Sequence, residues 1–308
     1  MELHRSSGRW WLGLSLTLLT VLLWATQPVA FKLALEQLDP MTLVWCRFAA
    51  AGIAIGGWLT WRGAFRAFRG LPAASWTLLA VAVVSLLGNF LFSILGLSLT
   101  TPGNAQFLFQ ASHPMVALGA IWVFKERFNR WQWAGLAGIG IGLALFFLDE
   151  RAGAVRSGGQ HYVLACTLIL LSAVCWPGFA LAQKQLLRSL SATQINGFVY
   201  AVLAVAFLPF ASPAALLGLD RLHWAAVGYC MMATVTAYLA FAEAFVHWEG
   251  SRVASVCSIS PLITVLAVAW VHRLAPSLLP AERITLVGWV GAALIVSGSA
   301  MSSLARER

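Results

Sequence analysis

Long, nearly uninterrupted apolar runs constrain this chain more than any other feature. A helix needs about 20 mainly apolar residues to cross the hydrocarbon core of a bilayer. Ten segments reach or approach that length: Trp11 to Phe31, Met41 to Leu59, Trp76 to Leu97, Asn104 to Phe124, Trp131 to Leu148, Tyr162 to Leu181, Gln194 to Phe210, Trp224 to Phe245, Val253 to Val271 and Ile284 to Met301. A soluble fold is excluded on the same ground. Of 308 residues, 60% are hydrophobic and 10% charged, where globular domains are roughly half apolar and about a quarter charged. Disorder is excluded by the same apolar content. Several of the 15 Trp sit at the ends of the runs, as headgroup-level anchors do.

The first run reads as a membrane helix rather than a cleaved leader. Arg5 and Arg9 precede Trp10, but the apolar stretch is too long and lacks a small-x-small cleavage site. Thr101-Pro102-Gly103 and Trp248-Glu249-Gly250 are short turns, so the spans they join are expected as antiparallel hairpins. The net charge of +9 comes from basic residues flanking the spans, in no cluster long enough for nucleic acid. They record orientation instead. With the N-terminus inside, Arg5, Arg9, Arg62, Arg66, Arg69, Lys125, Arg127, Arg130, Lys184, Arg188, Arg252, Arg306 and Arg308 face the cytoplasm. Only Lys32, Arg151, Arg156, Arg221, Arg273 and Arg283 face out, and Arg47 lies within a span. The expectation is an inner (plasma) membrane protein with both termini cytoplasmic. Cys46, Cys166, Cys175, Cys230 and Cys257 all fall in apolar runs with neither a disulfide nor a zinc spacing. They read as packing residues.

The halves repeat. Trp24, Ala30 and Lys32 fall on Trp176, Ala182 and Lys184 under one shift, and Gly103 and Pro114 on Gly250 and Pro261 under another. A third shift places Glu126-Arg127, Trp133 and Gly135 on Glu282-Arg283, Trp289 and Gly291. Five spans per copy is an odd number, so the second copy is inverted, as in many secondary transporters. The expected fold is all-α: a polytopic membrane protein with ten transmembrane helices in two inverted five-helix repeats. Residues 1–148 form the first repeat, 149–160 a hydrophilic linker and 161–308 the second.

The combination Leu23-Trp24 through Ala30-Phe31-Lys32, Asp39-Pro40, Trp45-Cys46-Arg47-Phe48, Pro114, and Lys125-Glu126-Arg127 followed by Trp133 and Gly135 resembles the drug/metabolite transporter superfamily, and within it the two-repeat EamA-type exporters. The resemblance covers nearly the whole chain. One departure is the insertion Leu274 to Ala281 before Glu282. The resemblance implies ten helices, alternating access and, usually, efflux of metabolites or amino acids. Direction and substrate do not follow from it.

Polar residues within spans mark candidate contacts, because a group facing lipid without a partner is costly. Gln106, Gln110 and His113 share one face of the fourth span. Their counterparts are Val253, Cys257 and Ser260. Thr20, Trp24, Gln27 and Phe31 share a face of the first span, and Ser172, Trp176, Phe179 and Gln183 of the sixth. Paired indoles across a pseudo-two-fold axis are suited to stack on a flat or cationic solute. Bundle packing is the plainer explanation. Pro28 and Pro177 loosen the backbone ladder nearby. Ser85, Asn89 and Phe92 line the third span, with Met232, Thr236 and Leu239 as their counterparts.

The substrate-binding candidates are therefore Trp24, Gln27, Asn89, Phe92, Gln106, Gln110, His113, Trp176, Phe179, Thr236 and Ser260. Each has a competing role in interhelical hydrogen bonding or packing. Glu243 is an acid well within a span, a candidate proton carrier unless the helix ends early and wets it. His113 precedes Pro114, which cannot donate to the Gln110 carbonyl. An imidazole of reference pKa about 6.5 in that opened segment is suited to bind a substrate carboxylate or to couple transport to pH. Arg47 is read as structural: snorkelling, or paired with Asp39, rather than holding an anion.

No phosphate-cradling loop, metalloprotease motif or nucleophile elbow is present in the sequence. No cofactor is implied. The best reading is a secondary active transporter, not an enzyme, exporting a small zwitterion or neutral metabolite such as an amino acid, with protons as the candidate coupling ion. Carriage of nucleobases, sugars or hydrophobic cations is the alternative. A membrane enzyme or a receptor is the remaining class. The oligomeric state is not legible.

Overall fold

The computed structural model describes residues 9–112, 115–116, 118–119, 129–156, 161–248, 253, 256–257, 259–279 and 284–304. These form ten α-helices among the described residues: α1 (Trp10–Ala34), α2 (Pro40–Trp61), α3 (Ala73–Ser98), α4 (Pro102–Phe109), α5 (Arg130–Arg156), α6 (Tyr162–Leu186), α7 (Ala192–Phe207), α8 (Arg221–His247), α9 (Ser260–Leu274) and α10 (Leu286–Leu304). Short 3-10 turns cover Ala64–Gly70, Leu208–Phe210 and Pro213–Gly218. Seven of the described helices are long and apolar enough to cross a membrane; Ser260–Leu274 and Leu286–Met301 are shorter apolar helices.

Local chemistry sets the helix starts. Asp39 caps α2 by accepting from the Thr42 amide, with Pro40 in the first turn. Thr101 does the same for α4, again ahead of a proline. Ser191 and Gln194 form a reciprocal capping box on α7, and Asp220 caps α8. Between turns the helices are apolar on every side, as expected of helices that meet lipid outside and protein inside. Ile53 is 76% exposed and Val205 71%, while Leu43, Leu86 and Leu203 are fully buried.

The helices pair as α1 with α8, α3 with α6, α2 with α7 and α5 with α10. Exchanging each helix with the one five places on carries this set into itself. It also carries α1 on α9 into α6 on α4, and both packings are present. The main core is built from α1, α2, α3, α6, α7 and α8.

Glycines bring several pairs close. A Cβ on Gly142 would lie 2.6 Å from the Gly291 carbonyl oxygen, and one on Gly298 2.6 Å from that of Gly135. The α5–α10 seam is thus backbone against backbone, a common device of helices in membranes. Gly178 of α6 likewise admits Ser85 of α3.

Three elements differ from the sequence expectation. The span expected from Asn104 to Phe124 begins as α4, which ends at Phe109; after a turn at Gln110 and Ala111, the residues Ser112, Met115, Val116, Leu118 and Gly119 are helical again. The span expected from Val253 is helical at Val253, Val256 and Cys257, turns at Ile259 and resumes as α9 at Ser260. Helix α5 runs on to Arg156, through residues expected in the linker. Ala152, Ala154 and Arg156 propagate a helix well, and the Ser157-Gly158-Gly159 run is the first strong breaker.

Candidate functional site

Proline chemistry organises the centre. Pro28 lies inside α1 and has no N–H, so the Trp24 carbonyl loses its donor four residues on. Gln106 Nε2 of α4 fills the vacancy, donating to Trp24 O at 2.9 Å. The indole of Trp24 turns inward. Its ring centroid lies 6.5 Å from that of Trp176, edge to face at 88°. Tyr238 and Phe241 of α8 approach Trp24 at 5.5 Å and 4.8 Å. Phe109 of α4 and Phe179 approach Trp176 at 6.0 Å and 5.5 Å. Helices from both halves therefore contribute to one aromatic cluster. Both indoles are half-buried, and such edge-to-face pairs carry about 0.5–1.5 kcal/mol beyond burial.

The fourth helix of each half tightens where it nears this cluster. The amides of Gln110 and Ala111 donate three residues back, to Phe107 O and Leu108 O. The amide of Ile259 does the same to Val256 O. Pro114 and Pro261 follow in sequence. Each proline lacks a backbone donor. Interrupted helices at membrane depth are tolerated where they are enclosed by protein or line a cavity.

Several candidate amides are engaged with neighbouring helices. Asn89 Nδ2 donates to Ser172 O at 2.9 Å and to Ser172 Oγ at 3.0 Å, joining α3 to α6. Gln27 Nε2 donates to Thr234 Oγ1 at 3.2 Å and Cys230 O at 3.4 Å. These bonds serve as interhelical ties. The carbonyl oxygens of Asn89 and Gln106 accept nothing among the described residues.

The remaining candidates separate. Phe179, though in the cluster, is fully buried, and Gln110 is buried. Phe92 and Ser260 are half-buried. Thr236 turns toward Met232 Sδ at 3.5 Å, beside the exposed Met232, and does not join the aromatic cluster. Glu243 is exposed and lies 3.4 Å from His247 Nε2, one turn on. His113, the fourth-span candidate, lies outside the described residues. No group of three or more His, Cys, Asp or Glu suited to a metal occurs among the described residues.

Sequence reasoning passed over Thr234, Tyr238 and Phe241. The inward face of α8 also carries Ala233, Ala237 and Ala240, all buried. That stripe of small residues was the available signal, since close helix packing selects for it. Arg47 is 1% exposed. It neither snorkels nor pairs with Asp39, whose oxygens accept from Thr42 N and Thr42 Oγ1. Instead Nε donates to Thr234 Oγ1 at 2.9 Å and Nη2 to Gln27 Oε1 at 3.4 Å.

At one end of the bundle the two halves meet in a polar cluster. His223 Nδ1 lies 2.7 Å from Asp220 Oδ1, and its Nε2 lies 3.3 Å from Glu36 Oε2. Gln37 Nε2 donates to Asp220 Oδ2 at 3.1 Å. The His223 backbone N–H, and then its ring, hold the Asp220 carboxyl down at about 2. Nearby, Lys32 Nζ donates to Leu97 O, Ser98 O and Thr100 O, closing the C-terminus of α3.

Comparison with known proteins agrees with this architecture. The model of the EamA-like transporter family matches twice, over residues 11–148 and 163–304. An uncharacterized transporter of Haemophilus influenzae is 30% identical over 297 residues, covering 96% of each chain. The uncharacterized inner membrane transporter YhbE of Escherichia coli K12 is 28% identical, covering 95% of this chain and 91% of its own. A probable amino-acid metabolite efflux pump of Salmonella typhimurium is 26% identical, covering 92% of each. A protein of known crystal structure, 21% identical, shares the fold with a TM-score of 0.63 over 94% of this chain and 96% of that one. With both halves matched to one family model and relatives aligned nearly end to end, this multi-pass membrane chain belongs to the EamA-like transporter family.

Proposed function

We propose that the protein is a secondary active transporter that exports a small zwitterionic or neutral metabolite, of the amino-acid class, by alternating access. The observation that carries this reading is the Trp24–Trp176 pair, where equivalent residues of the two repeats meet inside the bundle. A solute held between equivalent helices of two halves is released to either side when the halves rock. Aromatic rings and side-chain amide oxygens suit an ammonium or an apolar side chain. The efflux-pump name of the Salmonella relative points the same way.

The finer architecture belongs to the same proposal: ten transmembrane helices, two inverted repeats over residues 1–148 and 161–308, and both termini in the cytoplasm of an inner membrane. The helix exchange pattern and the positive-inside bias support it. Purified protein in liposomes, challenged with a pooled panel of amino acids, nucleobases, sugars and organic cations, tests the function. Protein-dependent flux of a zwitterion supports it. Flux confined to sugars or hydrophobic cations assigns a different substrate class, and no flux of any member contradicts transport. Reporter fusions after Arg308 and between Arg62 and Arg69 test the topology, and a periplasmic signal from either contradicts it.

A further inference from the structure

Arg47 has no counter-charge among the described residues. It is buried in α2 at the centre of the main core, where an isolated charge is costly. Its hydrogen-bonding neighbours are neutral: Thr234 Oγ1 and Gln27 Oε1 accept from it. No carboxylate lies in salt-bridge range of the guanidinium among the described residues. Phe31 and Phe90 approach at 4.3 Å and 4.9 Å from ring centroid to Cζ. Rings at that distance offset part of the charge, but they offer no acceptor to the guanidinium edge. Of five N–H donors, two are engaged.

A second orphan sits alongside. The Tyr200 hydroxyl is buried without a hydrogen-bond partner. Its ring lies 5.5 Å from Phe48, the residue after Arg47, and 5.8 Å from Tyr238. The Phe48 ring is shared: the Arg47 Cζ lies 5.9 Å from its centroid and the Tyr200 ring 5.5 Å. A bare cation with spare donors and a bare hydroxyl in one core have a common remedy, an anion that accepts from both. Tyr238 also packs on Trp24 at 5.5 Å, so this polar nest is continuous with the aromatic cluster.

We propose that Arg47 and Tyr200 form a binding site for a single carboxylate, and that it takes the acid group of the transported solute. The second clause rests on the transporter reading; the first does not. One planar guanidinium matches the two oxygens of a carboxylate. A phosphate dianion would need more positive charge than one Arg supplies. The acid group sits at Arg47, and the remainder of the solute extends along Tyr238 toward Trp24 and the Gln106 oxygen, which accepts nothing among the described residues, where an ammonium is welcome.

The test titrates the full-length protein in lipid nanodiscs with benzoate and L-leucine, and in parallel with benzamide and L-leucinamide, reading binding by calorimetry. The carboxylates bind about tenfold or more tighter than their amides, the scale of a hydrogen bond to a charged group. Arg47→Lys keeps the charge but loses the fork, and weakens the carboxylates by a similar factor. Tyr200→Phe guards against a misfolding artefact. Removing an orphan hydroxyl leaves the ligand-free thermal midpoint unchanged or raised, yet lowers carboxylate affinity by about tenfold. Unchanged carboxylate affinity in Tyr200→Phe overturns the proposal, as does equal binding of acids and amides. Chloride saturating the site without competition from either acid would make it a halide site and overturn it too. Carboxylate binding without flux of any panel solute upholds the site and removes the transport reading. Flux of neutral solutes without carboxylate binding does the reverse.

Discussion

Gln106 Nε2 donates to the carbonyl oxygen of Trp24 at 2.9 Å, the acceptor that Pro28 cannot serve. A side chain of the fourth helix thus completes the backbone ladder of the first. The same bond fixes the height at which the Trp24 indole meets Trp176. In Gln106→Leu the carbonyl is left without its donor, and we expect a loss of about 1 kcal/mol in stability. Pro28→Ala restores a backbone N–H to that carbonyl. The Leu substitution is therefore expected to cost less in the Pro28→Ala background, a non-additivity that a double-mutant cycle in denaturant reads directly. Strict additivity would separate the two residues.

Trp24→Ala and Trp176→Ala each open the aromatic cluster from one repeat. Both are expected to lower transport by about tenfold or more while the protein still reaches the membrane. Trp61, 75% exposed at the end of α2, is the control, and Trp61→Ala is expected to transport as wild type. Comparable losses in all three would mean that the indoles act through general stability.

How far the sequence foretold this site depends on the kind of signal each residue carries. Trp24 and Trp176 were legible because the repeat shift superposes them and both lie well inside apolar runs. Gln106 was legible as inward-facing, but its partner was not, since that requires knowing which helix covers the carbonyl freed by Pro28. Thr236 was chosen by its correspondence with Asn89. The face of α8 turned inward is set instead by close packing on α1, where Thr20 Oγ1 reaches Ala237 O at 3.4 Å, and that rotation presents Thr234 and Tyr238. Arg47 was visible as a charge in a span, yet the Asp39 carboxylate expected to meet it caps its own helix. The helices themselves were legible from run length. The early end of α4 was not, because Gln110 and His113 also fit the polar face of one continuous helix begun by Gln106.

The α5–α10 seam has no room for a side chain at Gly142, Gly291 or Gly298. Gly142→Val places carbon where the Gly291 carbonyl already lies, and is expected to destabilise by about 1–3 kcal/mol. Gly140 has nothing within 4 Å of an added Cβ, so Gly140→Ala is expected to be tolerated. Thermal unfolding in detergent by size-exclusion profile distinguishes them. Equal tolerance would mean that the two helices separate there.

The Asp220 cluster makes an acid-sensitive tie between the halves. Its carboxyl is held at about 2, below its ordinary 3.8. The stabilisation it provides is therefore complete above that ordinary value and is lost as pH falls toward 2. Asp220→Asn is expected to lower the thermal midpoint at neutral pH, with the gap to wild type closing as the pH is brought from about 4 toward 2. A gap independent of pH would show that the charge of Asp220 is irrelevant.

Counterflow tests the central claim most directly. Proteoliposomes are loaded with an unlabelled panel solute and diluted into a trace of the same solute carrying label. A carrier with one site exposed alternately to each side takes label in transiently above its equilibrium level. Wild-type protein is expected to show that overshoot, and the Trp24→Ala, Trp176→Ala double variant to lose it at equal protein density. Absence of overshoot for every panel solute, or an undiminished overshoot in the double variant, would contradict alternating access through the Trp24–Trp176 site.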